Sequence, residues 1–458
     1  MTKLHHRTYA HYAQDYEKIR LVLEGQRAMR AHAEVYLRMP DGLSQTEKAN
    51  FIKGAHFYNV TSNTLESMVG LIHRKQVRFT LPPRLQPMLD RATVNGHSLH
   101  TFCEELTREV LAMGRACAVL TYPEFGATVT TPPDIAFFAA SEILDWKEEL
   151  INGRTQLTYL RLREDDDELD NGVELHLTYH LEPELVMRRW HVRNVSNGME
   201  SKAEAIQVGE DIHPTVRGQY QFFIPAVIFG SRNLSPDVER PPLLDLADAN
   251  IGHFALSADY NHSLHMSALP TLVVKGALNE EQKPKAVGPG TAIYLPENGD
   301  AYWLNAGTDA HESLRLALQD MEARMSALGA QMILSGQQRR QETAEHASMR
   351  YSHETAMLLS VVNQLEAGVR TLLSWARDYV HNPSEVVLVE FNRDLVSQVI
   401  TPQLVTSLLA AVNAGAISRE SFIDALRKGE VIERTVEEEL DKIEEEGADG
   451  ILPFPVAR

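Results

Sequence analysis

The stretch PPLLDLADANIGHFALSADYNHSLHM, from Pro241 to Met266, most narrows what this chain can fold into. Two prolines stand at its start, where a missing N–H costs nothing, and only Gly252 weakens the pattern before Pro270. It reads as one long helix. Leu243, Ala247, Ile251, Phe254 and Ala258 form an apolar stripe, while Asp245, Asp248, Asn250, His253, Ser257, Asn261, His262 and His265 cover the rest. Such a helix is too polar for a core and too apolar for a free solvent arm. Along one side it must pack on something.

The sequence around it divides by period. Residues 1–120 read mainly as helix, broken at Pro40-Asp41-Gly42, with Ser44 and Glu47 at capping-box spacing. Between 115 and 232 the period shortens: ACAVLTY, DIAFFAASEIL, TQLTYLRLRE and VELHLTYHL have strand composition, and QYQFFIPAVIF closes the segment. Asn171-Gly172 is a hairpin signal, and the acidic run EDDDELD before it reads as an exposed tip. Short strands, TLVVKG, TAIYL and AYWLN, follow the long helix.

Helix then returns. Leu314, Leu318, Met321, Met325, Leu328 and Met332 make a heptad seam, SGQQRRQE interrupts it, and a second long helix carries Ala344, Ala347, Tyr351, Leu358, Val362, Leu365, Val369 and Leu372 on one side. Thr401-Pro402, Ser418, and Thr435 with Glu438 start three short C-terminal helices, the last strongly acidic.

Composition excludes several classes. Lys and Arg number 44 against 63 Asp and Glu, a formal charge of −19, so a basic footprint for static nucleic-acid binding is missing. Neither a signal-like N-terminus nor a membrane-length apolar run occurs, which predicts a soluble intracellular protein. Cys103 and Cys117 sit in apolar patterns and are expected to be reduced core residues. The sequence has no Walker A loop, no G-x-G-x-x-G after a strand, no G-x-S-x-G, no H-E-x-x-H and no C-x-x-C. Catalysis, cofactor and metal are therefore unsupported.

The histidines offer no complete ligand set. His262 and His265 are three apart on a helix, but with no third ligand in view they read as interfacial or tunnel-facing hydrogen-bonding groups. His346 and His353 are read the same way. His176 and His180 share a strand face with Glu174 that is expected to be solvated or to face a subunit, and His5, His6 and His11 read as a disordered tail.

The pattern resembles the portal proteins of tailed double-stranded DNA phages over most of the chain. YLRMPDG with HFYNVTSNTLESMVGLIHRK looks like their opening wing segment, and PPLLDLADANIGHFALSADYNHSLHMSALPTLVVKG like the stem helix and the strand after it. MILSGQQRRQETAEHASMR is similar to the tunnel loop and the start of the long wing helix, and VVLVEFNRDL with AGAISRESFIDALRKGEVI to the exit into the crown. The resemblance implies an α+β portal fold: N-terminal wing helices at 1–125, a β-rich wing and clip segment at 126–240, the stem helix at 241–270 and wing strands at 271–310. The tunnel helix, tunnel loop and long wing helix would take 311–382, and the crown 383–458.

It further implies a homo-oligomeric ring, commonly of twelve subunits, at one capsid vertex of the virion, assembled in the host cytoplasm. Its partners would be the terminase packaging motor, head-tail adaptor proteins, major capsid and scaffolding proteins, and double-stranded DNA passing through the channel, with no membrane. The stem-helix candidates are His253, Ser257, Asn261, His262 and His265, whose polar stripe would face solvent or the channel. The tunnel-loop candidates are Gln337, Gln338, Arg339 and Arg340. The two arginines either touch passing phosphates or form a salt-bridged turn. Another ring-forming head-tail connector, and more remotely a hydrolase, are the alternatives.

Overall fold

In the computed structural model, Gly25 cuts the N-terminal helical pattern. It takes a left-handed φ of 87° and ends α1 (Arg7–Glu24). Next come α2 (Gln26–Ala31), α3 (Ala33–Tyr36) and α4 (Gln45–Gly54). The Ser44–Glu47 box holds the start of α4: Glu47 N donates to Ser44 Oγ at 3.3 Å and Ser44 N to Glu47 Oε2 at 2.8 Å. After them come α5 (Val60–Ile72), β1 (Arg78–Thr80) and α6 (Leu99–Met113). The structure describes residues 4–121, 131–151, 153–164, 169, 172–197, 200–216, 218–268, 271–275, 299–304, 309–333, 344–380, 385–393, 395, 402–428, 431–432 and 434–448. By its contacts the chain falls into two units, Met1–Phe391 and Asn392–Arg458.

Strand-forming sequence follows α6: β2 (Arg115–Thr121), β3 (Asp134–Ala139), β4 (Ile143–Ile151), β5 (Arg154–Glu164) and β6 (Val173–Leu181). It continues through β7 (Leu185–Asn197), β8 (Glu200–Ile212), β9 (Thr215–Val216), β10 (Gln219–Tyr220) and β11 (Ala226–Gly230). Strands β4 to β8 form an antiparallel meander, and β11–β2–β3 a separate antiparallel sheet. Strands β5 and β6 pair antiparallel, with Glu164 opposite Leu175, while Asn171 and most of the acidic run EDDDELD lie outside the described residues. Strands β7 and β8 lie beyond the segments that the sequence marks as strand. LVMRRWHVRNVSN and ESKAEAIQVGEDI carry too many charged and small residues to show an apolar alternation.

Two expectations are corrected at this meander. His176 is fully buried rather than solvated, with Nε2 2.9 Å from Glu174 Oε2. Trp190 covers the same face, its Nε1 donating to Thr178 Oγ1 at 2.9 Å. Nor are His5 and His6 in a loose tail. His6 N donates to Leu144 O at 2.8 Å, its ring stacks on Trp146 at 4.0 Å, and His5 lies close enough to His176, Glu174, Arg161 and Asp145 to feel their charges.

The chain then returns to helix with α7 (Leu244–Ala268), β12 (Thr271–Lys275), β13 (Asp300–Leu304), α8 (Asp309–Ile333), α9 (Ala344–Tyr379) and β14 (Leu388–Glu390), which pairs with β1. The core lies where α6 and α9 pack around β2 and β11. Phe102, Leu106 and Val110 of α6, Cys117 of β2 and Leu365, Val369 and Leu372 of α9 are completely buried. Both cysteines are free and buried, and burial pushes their thiols well up. Gly368 permits the close approach of α9 to β11, because any Cβ there would run into the Phe229 ring.

In the second unit, α10 (Pro402–Asn413) ends at Gly415, whose φ is 70°. Ser418 caps α11 (Arg419–Lys428), accepting from Ser421 N at 3.1 Å. Thr435 and Glu438 bond reciprocally at the start of α12 (Val436–Ala448). These starts fall where the capping residues put them. The mixed helix and strand content is that of an α+β protein.

Candidate functional site

Helices α7 and α8 run antiparallel, side by side. Gly252 lies beside Met321, where a Cβ would come within 2.6 Å of the Met321 methyl. His253 Nε2 is 3.4 Å from Glu322 Oε1, and His311 Nε2 is 3.3 Å from Ser263 O. As position rises on α7 it falls on α8. The heptad seam is the inward side of α8: Met325 is completely buried, Leu314, Leu318, Met321 and Leu328 are half-buried, and Gly329 lets α8 approach Thr64 of α5. The seam thus meets α7 and α5 of the same chain.

The middle of the polar stripe of α7 also faces inward, whereas Asp245, Asp248 and His265 are exposed. Asn250 is completely buried: its Oδ1 accepts from Thr61 N at 3.2 Å and Thr61 Oγ1 at 3.0 Å, and its Nδ2 donates to Tyr58 O at 2.9 Å. Ser257 Oγ accepts from His56 N at 3.0 Å, with Phe254 O and His56 O as alternative acceptors for its proton. Asn261 Nδ2 donates to Gly54 O at 3.0 Å. One helix face therefore pins the segment from Gly54 to Thr61, which joins α4 to α5 and has backbone groups that no ladder satisfies.

This corrects the expectation that Ser257 and Asn261 face solvent or a channel. His253 is also buried, beside Tyr58 and Glu322, and neither ring nitrogen has a hydrogen-bond partner among the described residues. His262 is half-buried, edge-on to Phe51 at 5.4 Å, and His265 is exposed. Among the described residues no group of three or more His, Cys, Asp or Glu could hold a metal, so His262 and His265 have no third partner for one. The side chains of His346 and His353, and all of Gln337, Gln338, Arg339 and Arg340, lie outside the described residues.

What remains outward on this helix pair is mostly charge. On α8, Glu312, Arg315, Gln319, Asp320, Glu322 and Arg324 are exposed, interrupted by Leu316. Arg315 bonds Glu312, which holds that carboxyl below its usual range. On α7, Asp259 is exposed at its residue surface yet partly desolvated, and this pushes its carboxyl up against the pull of Arg38 and His262. Where α7 ends and α8 begins, β12 and β13 pair antiparallel, and Tyr302 and Trp303 of β13 are 40% and 52% exposed. The sequence marked both helices and both strands. It gave no sign of which polar residues point inward.

No described helix is long and apolar enough to cross a membrane. Residues 242–380, which take in α7, α8, α9 and the strands between them, match a family described as "Domain of unknown function (DUF4055)". A chain from the neck of a native GTA particle, computed with C12 symmetry, is 14% identical, covering 87% of this chain and 98% of that one with a TM-score of 0.39. A chain from the neck of an empty GTA particle, computed with C6 symmetry, is 15% identical over 85% of this chain and 95% of that one, with a TM-score of 0.36. Curated proteins offer no match.

Proposed function

We propose that the chain is a portal-type subunit, a non-enzymatic component of a phage-like particle that closes with copies of itself into a ring at one capsid vertex. Double-stranded DNA would pass through that ring, commonly of twelve copies, and the packaging terminase and later head-tail adaptors would dock on it. The observation that carries the reading is the antiparallel α7–α8 pair. Its inner faces pack within the chain, while α8 keeps a long outward face of both charge signs that also exposes Leu316. A two-sided helix pair of this kind suits a heterologous contact that repeats until it closes.

Two further features support it. The formal charge of −19 suits a channel that lets a polyanion slide without holding it, because each strong phosphate contact would add a barrier to movement. The ordered resemblance of the sequence to portal proteins runs through the same helices. The docking end is better sought at β12–β13 than in 126–240. The meander is tied into the body through Leu144 and Trp146, whereas the hairpin follows the open end of the helix pair and exposes Tyr302 and Trp303.

Native mass measurement with negative-stain imaging of the purified protein tests this directly. Closed rings with a central hole are expected. A monodisperse monomer at every concentration would overturn the proposal.

A further inference from the structure

Arg115, at the start of β2, is among the largest fully buried side chains, with 1% of its surface exposed. Its guanidinium carbon lies over Trp146, 4.0 Å from the ring centroid, and the imidazole of His6 stacks against the same indole. A cation–π contact does not satisfy the N–H donors of the guanidinium. None of Nε, Nη1 and Nη2 has a hydrogen-bond partner among the described residues, and no described carboxylate pairs with it. Asp237 acts on it only at a distance and is itself exposed.

Beside it, the Tyr16 hydroxyl is just as buried and just as unpartnered, and the two groups are near enough to interact electrostatically. Both respond to the dry surroundings. Burial lowers the Arg115 pKa to about 10 and raises that of Tyr16 to about 12, so at neutral pH the arginine stays cationic and the phenol keeps its proton. A buried cation without a counter-charge is among the costliest arrangements a fold can hold, and buried N–H groups are almost always bonded. Cation–π contact with one indole offsets part of that cost only.

We propose that the guanidinium edge of Arg115 and the hydroxyl of Tyr16 together bind a small monovalent inorganic anion of the chloride type between α1, β2 and β4. An anion supplies what water cannot, because it accepts from the N–H and O–H donors and also neutralises the buried charge. Its place at the junction of these elements makes it part of the scaffold that holds the N-terminal helix on the β-rich region.

The test uses the full-length protein, unfolded by heat in chloride or in gluconate at matched ionic strength, with the anion varied from ~1 mM to ~0.5 M. The wild-type protein is expected to gain about 2 °C or more in Tm in chloride over gluconate, in a saturating manner. That difference should vanish in Arg115→Met and shrink in Tyr16→Phe. Crystals grown with bromide should show an anomalous peak within hydrogen-bond reach of both side chains. A wild-type Tm that is blind to the anion, or a chloride effect that survives intact in Arg115→Met, would overturn the assignment in favour of ordered water. If Arg115→Met does not fold, Tyr16→Phe and the bromide map decide: an unchanged chloride effect, or no peak, also overturns it.

Discussion

Helices α7 and α8 are each 25 residues long, lie side by side, and mix apolar with polar positions, yet they use their polar residues in opposite ways. On α7, beside His253 and His262, the buried or half-buried polar groups include short amides and hydroxyls, Asn250, Ser257 and Asn261, aimed at backbone groups of the 54–61 segment. On α8 the polar groups from Glu312 to Arg324 are mostly long and charged, and they stay outside. The cause is physical. An amide or hydroxyl can be desolvated if it replaces each lost water with a backbone partner, and a short side chain loses little rotamer freedom in doing so. A carboxylate or guanidinium cannot be matched so cheaply. Polarity on a helical wheel therefore predicts a partner, not an orientation.

The sharpest way to break this contrast is to remove the central amide. Asn250→Ala should cost about 3 kcal/mol in denaturant unfolding, since it removes three hydrogen bonds and leaves Thr61 N and Thr61 Oγ1 without their acceptor in a dry site. Ser257→Ala should cost about 1 kcal/mol by the same route. On α8, Gln319→Ala should leave stability unchanged within the error of the measurement. If Asn250→Ala were as mild as Gln319→Ala, the stripe on α7 would be outward after all.

The next change acts on assembly instead. Reversing Asp320→Lys together with Arg324→Glu on the outer face of α8 should leave the unfolding midpoint of the isolated subunit where it was. Native mass measurement should nevertheless show the ring weakened or its subunit number altered, because complementary charges steer and register a repeating contact. An unaltered ring would remove α8 from the subunit contact.

Local signals were legible in the sequence where the cause was local. The Ser44–Glu47 and Thr435–Glu438 boxes, the cap at Ser418, the stop at Gly415 and the seam from Leu314 to Leu328 depend on residues three or four apart, and all stand as read. What depended on a distant chain segment was not legible. Asn250 finds Thr61 and Tyr58 nearly two hundred residues away, and His176 is buried because Trp190 and the residues around His5 cover it. Strands β7 and β8 escaped for a related reason: their charged residues are tolerated because partner strands complete the ladder. Even the seam, legible as a packing face, did not reveal that its partner is α7 of the same chain.

The smallest expected effect separates the two helices by sign. Partial burial raises the Asp259 pKa on α7 above its ordinary 3.8, so between that value and its folded value the native state binds more protons than the unfolded one. Its contribution to stability therefore grows as pH falls through that window and is lost as pH rises through it. On α8, the hydrogen bond from Arg315 lowers the Glu312 pKa below its ordinary 4.5, so below that value the unfolded state binds more protons. Its contribution is present above 4.5 and is lost as pH falls towards the folded value. Asp259→Asn and Glu312→Gln should therefore tilt the acid limb of the stability curve in opposite directions when unfolding is followed from neutral pH down to the foot of the carboxylate range. Because Glu312 is fully exposed and screened by salt, its tilt should be the fainter and should fade first as ionic strength rises. Tilts of the same sign would mean that Asp259 is not desolvated by its neighbours, and that this end of α7 is as open to water as the outer face of α8.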